Sequence, residues 1–187
     1  MTTPNGRNEV EQTFGNPAEP DGRLDPGWEY ANIITVPPPM GWHLYYQKKD
    51  STLLPTSGIR MHKLLQDSFR EVLTQIWNHA RLEVKNEVGF DKTTAEYDEL
   101  TRKWLHDRRL DQHNGGYNYR PVTGGSTLSM HAYGIAIDWD ALHNPRKNPL
   151  THTLPDWWYQ IWRDHGWTDG RHFNTPDPMH VQFAKGV

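Results

Sequence analysis

Apolar residues recur at three- and four-residue steps from Ile59 to about Lys85, through Leu65, Phe69, Val72, Leu73, Ile76, Trp77 and Ala80. That spacing predicts a core-facing helix, with Ser57-Gly58 at its start and Gly89 just past its end. A second helical stretch, 91–113, is dense in charge and keeps only Tyr97, Leu100 or Thr101, and Trp104 on one side. It reads as a solvated helix with a thin apolar stripe. Gly115-Gly116 breaks helix, and the period then falls to two. Tyr117–Arg120 and Gly134–Asp140 read as strands, the second with Ile135 and Ile137 on one face and Ala136 and Asp138 on the other. Pro155–His165 reads as a short helix stopped by Gly166, and Val181–Phe183 as a closing strand with His180 at its head. Residues 1 to about 58 are rich in Pro, Gly, Asn and Asp, with the apolar group Asn32–Val36 and the extended Pro37-Pro38-Pro39. They predict an arm wrapped over the body that buries Trp28, Tyr30, Trp42, Tyr45 and Tyr46. The expected architecture is a single α+β domain over 1–187, in which a small antiparallel sheet packs against helices. The arm (about 1–58) and a charged helical insertion (about 91–113) complete it.

Composition narrows the function. A chain of 187 residues suits one domain with a real core, and nine Trp, eight Tyr and five Phe concentrate its apolar surface in large rings. The formal net charge of −3 gives no basic footprint, so nucleic acid is not an expected partner. Cysteine is absent, which removes disulfides, thiolate metal sites and cysteine nucleophiles. The first residues, MTTPNGRNEVEQTFGNP, carry no apolar core of a signal peptide, and no stretch approaches transmembrane length, so no membrane insertion is expected.

The chemistry concentrates in two segments. Ser129-Met-His-Ala-Tyr-Gly-Ile-Ala-Ile-Asp138 contains an imidazole and a carboxylate, and Asp177-Pro-Met-His180 supplies another of each. Singly, each residue has a bland reading, a hydrogen-bonded histidine or a turn aspartate. Together His131, Asp138 and His180 make a nitrogen–nitrogen–oxygen set for one divalent metal, with zinc favoured and a fourth position left for water. Asp177 could then take a proton from that water. An extended run from His131 to Asp138 would span roughly 23 Å, far beyond the reach of one ion, so the chain must fold back, and Gly134 is the residue best able to let it turn.

These segments, with Gly115-Gly-Tyr-Asn-Tyr-Arg120 before them and Gly166-Trp167 between them, resemble the zinc D-alanyl-D-alanine carboxypeptidases of the vancomycin-resistance type. The subgroup of phage L-alanyl-D-glutamate endolysins is the most similar. The resemblance implies a hedgehog/DD-peptidase-like fold and one Zn2+ per chain on His131, Asp138 and His180. It further implies Asp177 as general base, Arg120 as a catalytic and substrate-binding cation, and Ser129 as a lining of the substrate cleft. The implied partner is bacterial cell-wall peptidoglycan, cut in its peptide stem, by a monomer. The implied setting is a phage product made in the host cytoplasm, reaching the wall after holin-dependent release or as a virion component. The alternatives are a D-alanyl-D-alanine carboxypeptidase and a non-catalytic zinc-bearing wall-binding or structural phage module. Pro178 stands where lysostaphin-like and hedgehog-like relatives have the first histidine of His-x-His, which favours the carboxypeptidase branch. Gln182 stands where many relatives have glutamate.

Overall fold

The long apolar stripe folds as helix α3 (Gln66–Val88), and its buried side carries Phe69, Val72, Leu73, Ile76, Trp77, Ala80 and Val84. The computed structural model describes residues 1–39 and 41–187. α3 begins later than its apolar spacing predicts. Ile59–His62 is strand β4, paired antiparallel with β1 (Ile33–Val36), and Lys63–Leu65 forms a 3₁₀ turn before the helix. Gly89 ends α3, as expected. The charged stretch forms α4 (Thr94–Asp107), opened by a reciprocal cap between Thr93 and Glu96. Tyr97, Thr101, Trp104 and Leu105 are its buried residues, and Arg81 pairs with Asp98 at 3.0 Å to tie it to α3.

The main sheet has six strands in the order β3-β2-β5-β6-β8-β7. These are β2 (Leu44–Gln47), β3 (Leu53–Thr56), β5 (Gln112–Gly115), β6 (Ala136–Trp139), β7 (Thr168–Gly170) and β8 (Asp177–Gln182). The α+β class is borne out, and β5, β6, β8 and β7 pair antiparallel; β2 joins β5 in parallel, which makes the whole sheet mixed. The expected arm is therefore built of sheet and helix. It contributes α1 (Arg7–Phe14), α2 (Pro26–Asn32), β1, β2 and β3, and it buries Trp28 and Trp42. Tyr30 and Tyr46 depart from expectation, at 92% and 39% exposed, and Tyr45 is half-buried.

Two strands are displaced from their sequence reading. Tyr117–Arg120 has no regular structure, and the strand beside β6 is the preceding Gln112–Gly115. β8 begins at Asp177, so His180 sits inside the strand and not at its head. Helix α5 (Asp156–Asp164) buries Trp158, Tyr159 and Trp162, and Gly166 follows with φ 82°. Trp139 of β6 meets Trp158 at 5.9 Å between ring centroids, and Trp162 meets both Phe69 of α3 (6.2 Å) and Trp167 (4.9 Å). This aromatic layer fixes the sheet on the helices and leaves its other face to carry polar chemistry.

Candidate metal centre

β6 and β8 place the first two groups. Their register sets Asp138 directly opposite His180, so both side chains rise from the same face of the sheet. His131 comes from a 3₁₀ turn, Met130–Tyr133, whose entry is capped by the Ser129 hydroxyl accepting the His131 N–H at 3.3 Å. Gly134 ends that turn in the left-handed conformation, φ 69° and ψ 26°. A β-carbon there would lie 2.7 Å from Ile33 Cδ1 and 2.8 Å from the His62 nitrogen, so the fold-back assigned to Gly134 requires glycine.

Three ligand atoms converge. His131 Nε2 is 3.2 Å from His180 Nδ1 and 3.2 Å from Asp138 Oδ1, and His180 Nδ1 is 3.0 Å from Asp138 Oδ1. The outer nitrogens decide the tautomers. His131 Nδ1–H donates to Gly116 O at 2.7 Å, which leaves a lone pair on Nε2. Gln182 donates its amide N–H to Ala184 O, turning its own Oε1 towards His180 Nε2–H at 3.0 Å and leaving a lone pair on Nδ1. Two imidazole lone pairs and a carboxylate oxygen therefore face one another, an arrangement that repels unless a cation or protons sit among them. Tetrahedral zinc with ligands at about 2.0–2.1 Å requires about 3.3 Å between ligand atoms, close to the spacing of this trio. His131, Asp138 and His180 fit a single zinc-sized divalent ion. Without a metal, protons take its place. Burial works to lower the His180 imidazole, but Asp138 outweighs it and holds that imidazole above its ordinary value. Burial likewise opposes ionisation of Asp138, and the facing His131 and His180 hold it well below the usual carboxylate range.

Asp177 opens β8 and borders the same cavity, of about 320 Å³, as the trio. Its Oδ1 is buried with no hydrogen-bond partner among the described residues, and Oδ2 faces Arg146 Nε at 3.9 Å. Burial pushes its carboxyl above the usual range; His180 pulls it down and Asp138 pushes it up further. An unpartnered, basic carboxylate beside a metal-sized cluster is equipped to accept a proton. Arg120 and Ser129 line the cavity too. Ser129 is buried and its hydroxyl also sets the His131 turn, while among the described residues the Arg120 guanidinium makes only a long contact, 3.4 Å, from Nη1 to Pro121 O. Trp167 and Tyr133 are core aromatics, and Phe173 reaches the site, with its ring 5.9 Å from that of His180.

The sequence reading noted Gln182 without giving it a role, and it missed Gly116, Arg7 and Arg146. Gln182 follows His180 by two on a strand, which places both side chains on one face, and that period was the available signal. The backbone carbonyl of Gly116 has no signature in sequence. Arg7 and Arg146 border the cavity from distant segments.

Residues 123–183 match the family model described as D-alanyl-D-alanine carboxypeptidase. That segment holds Ser129, His131, Asp138, Asp177 and His180, and over it the carboxypeptidase resemblance read from the residues is supported. Arg120 and Arg7 lie outside it. No curated protein and no solved structure matches the chain.

Proposed function

We propose that this protein is a zinc metallopeptidase that hydrolyses the peptide stem of bacterial peptidoglycan, as an L-alanyl-D-glutamate endopeptidase of the phage-lysin kind. The observation that carries the peptidase reading is the pairing of a lone-pair-facing His131/Asp138/His180 trio with the buried, unpartnered Oδ1 of Asp177 in one cavity. A non-catalytic zinc module would have no use for that carboxylate. The choice of the L-alanyl-D-glutamate bond rests on the sequence resemblance, and the family description favours D-alanyl-D-alanine carboxypeptidase as the second reading.

A zinc ion on the trio would make water more acidic and polarise the scissile carbonyl. Asp177 would accept the proton of the attacking water and pass it to the leaving amine, a role its raised basicity suits. Arg120, permanently charged, would hold a substrate carboxylate or stabilise the developing oxyanion. Ser129 keeps the His131 imidazole aimed into the cavity.

The test is Asp177→Asn with muropeptides analysed by mass spectrometry. Zinc content and melting should stay close to wild type while hydrolysis falls by roughly a hundredfold or more. New amino termini identify the endopeptidase, and released D-alanine the carboxypeptidase. Asp177→Asn cleaving at the wild-type rate with zinc in place would overturn the assignment of the base.

A further inference from the structure

The cavity at the metal centre is cationic for a reason the proton chemistry does not require. Arg7, Arg120 and Arg146 border it against the two carboxylates Asp138 and Asp177, and a divalent metal would add to the excess. Three other arginines hold buried acids: Arg163 and Arg171 both bind Asp169, and Arg109 binds Asp140. The cavity arginines do not. Arg120 has no ion-pair partner among the described residues, and the one acid near Arg146 is Asp177, at 3.9 Å, too far for a hydrogen bond. Arg146 is 46% exposed along its side chain, so the guanidinium is held at the mouth and stays accessible.

These cations arrive from three segments. Arg7, at the start of α1, is tied to the 120–129 hairpin that carries Arg120: Arg7 Nη1 donates to Leu128 O at 2.7 Å, and Ser129 N–H donates to Arg120 O at 3.0 Å. Arg146 lies on the loop after β6, fastened to the start of β8 by Lys147 N–H donating to Pro176 O at 3.0 Å. Planar guanidiniums with free N–H edges bind carboxylates bidentately.

We propose that Arg146 is a specificity-determining residue that binds a second free carboxylate of the substrate beside Asp177, while Arg120, backed by Arg7, meets the first. This rests on the peptidase reading above. The substrate class is then a peptide with two free carboxylates near the cleaved bond, and its amidated forms are poor substrates.

The experiment uses a stem-like peptide with both carboxylates free and two analogues, each with one carboxylate converted to the carboxamide. For the zinc-loaded wild type, kcat/KM should fall about tenfold to a hundredfold on each analogue. In Arg146→Gln the penalty for one analogue should collapse while the penalty for the other persists. Wild type cutting all three alike would overturn the inference and leave the peptidase reading standing. Arg146→Gln losing the same factor on all three would also overturn it, because Arg146 would then only orient Asp177. Calorimetry with the metal-free proteins decides the matter without turnover. There the dicarboxylate peptide should bind Arg146→Gln at least tenfold more weakly at low salt, with unchanged circular dichroism. Equal affinity would refute the subsite, and cleavage of no peptide by zinc-loaded wild type would refute the peptidase reading instead.

Discussion

His62 should act as an acid-sensitive latch between the N-terminal segment and the turn that carries His131. Its ring is buried against Phe14 (5.0 Å) and Trp28 (5.8 Å). Nε2–H donates to Phe14 O at 3.2 Å, and Nδ1 accepts the Leu64 N–H at 3.2 Å, so only one neutral tautomer satisfies both contacts. Its backbone N–H also donates to Gly134 O at 2.8 Å. A proton on Nδ1 would set two N–H groups face to face in a dry site. Burial accordingly lowers the imidazole from its ordinary 6.5 to about 4, against the raising effect of the Phe14 carbonyl. Because the folded value is the depressed one, the unfolded chain binds more protons between the two. The stabilisation is whole above about 6.5, is lost as pH falls through about 4, and changes no further below that. The full gap corresponds to about 3 kcal/mol, of which about 2 kcal/mol is already lost at pH 5. His62→Asn keeps an acceptor for Leu64 N–H and cannot titrate. Urea unfolding of both proteins in chelator, at pH 7 and pH 5, isolates the effect. The advantage of wild type over the variant should shrink by about 2 kcal/mol between the two. An advantage of the same size at both pH values would refute the reasoning.

Two further outcomes follow from the site. Gln182→Leu removes the acceptor that fixes the His180 tautomer, so zinc affinity measured by chelator competition should fall about tenfold to a hundredfold, and unchanged affinity would release Gln182 from that role. Gly134→Ala forces a β-carbon into a left-handed residue against Ile33 and the His62 nitrogen, which should cost at least about 2 kcal/mol in thermal unfolding and lower zinc occupancy with it; a melting temperature equal to wild type would show that the turn can relax.

The parts of the fold that were legible are those in which local pattern and burial agree. α3 shows a three- and four-residue stripe over its buried length, and Gly89 and Gly166 stop helices where their spacing says. The start of α3 misleads because Ile59 and Met61 continue an apolar run, and only the distant β1 claims them as strand partners. β5 was hidden for a different reason. Its sequence is Gln-His-Asn-Gly, and what it buries is polar: Gln112 and Asp140 both accept from the Gln47 amide, at 3.0 and 2.7 Å. A strand stabilised by a buried hydrogen-bond network leaves no hydrophobic alternation to read, so the aromatic Tyr117–Arg120 nearby took its place.

The metal trio was legible because its ligands are defined by residue type, and the glycine between His131 and Asp138 announces the turn that unites them. What spacing could not supply is which nitrogen of each imidazole faces the centre of the trio. That depends on Gly116 O, delivered by the chain just after β5, and on Gln182, whose orientation depends in turn on Ala184 O. Glutamine at 182 thus fulfils the orienting role through a neutral acceptor. A glutamate there would add a negative charge behind His180 and draw positive character from the imidazole and from any cation it binds. On the proposed function, a neutral partner would leave a bound ion more electrophilic, which would favour attack on a peptide carbonyl. Glutamine at 182 is therefore compatible with a working centre of the kind the sequence resemblance implies.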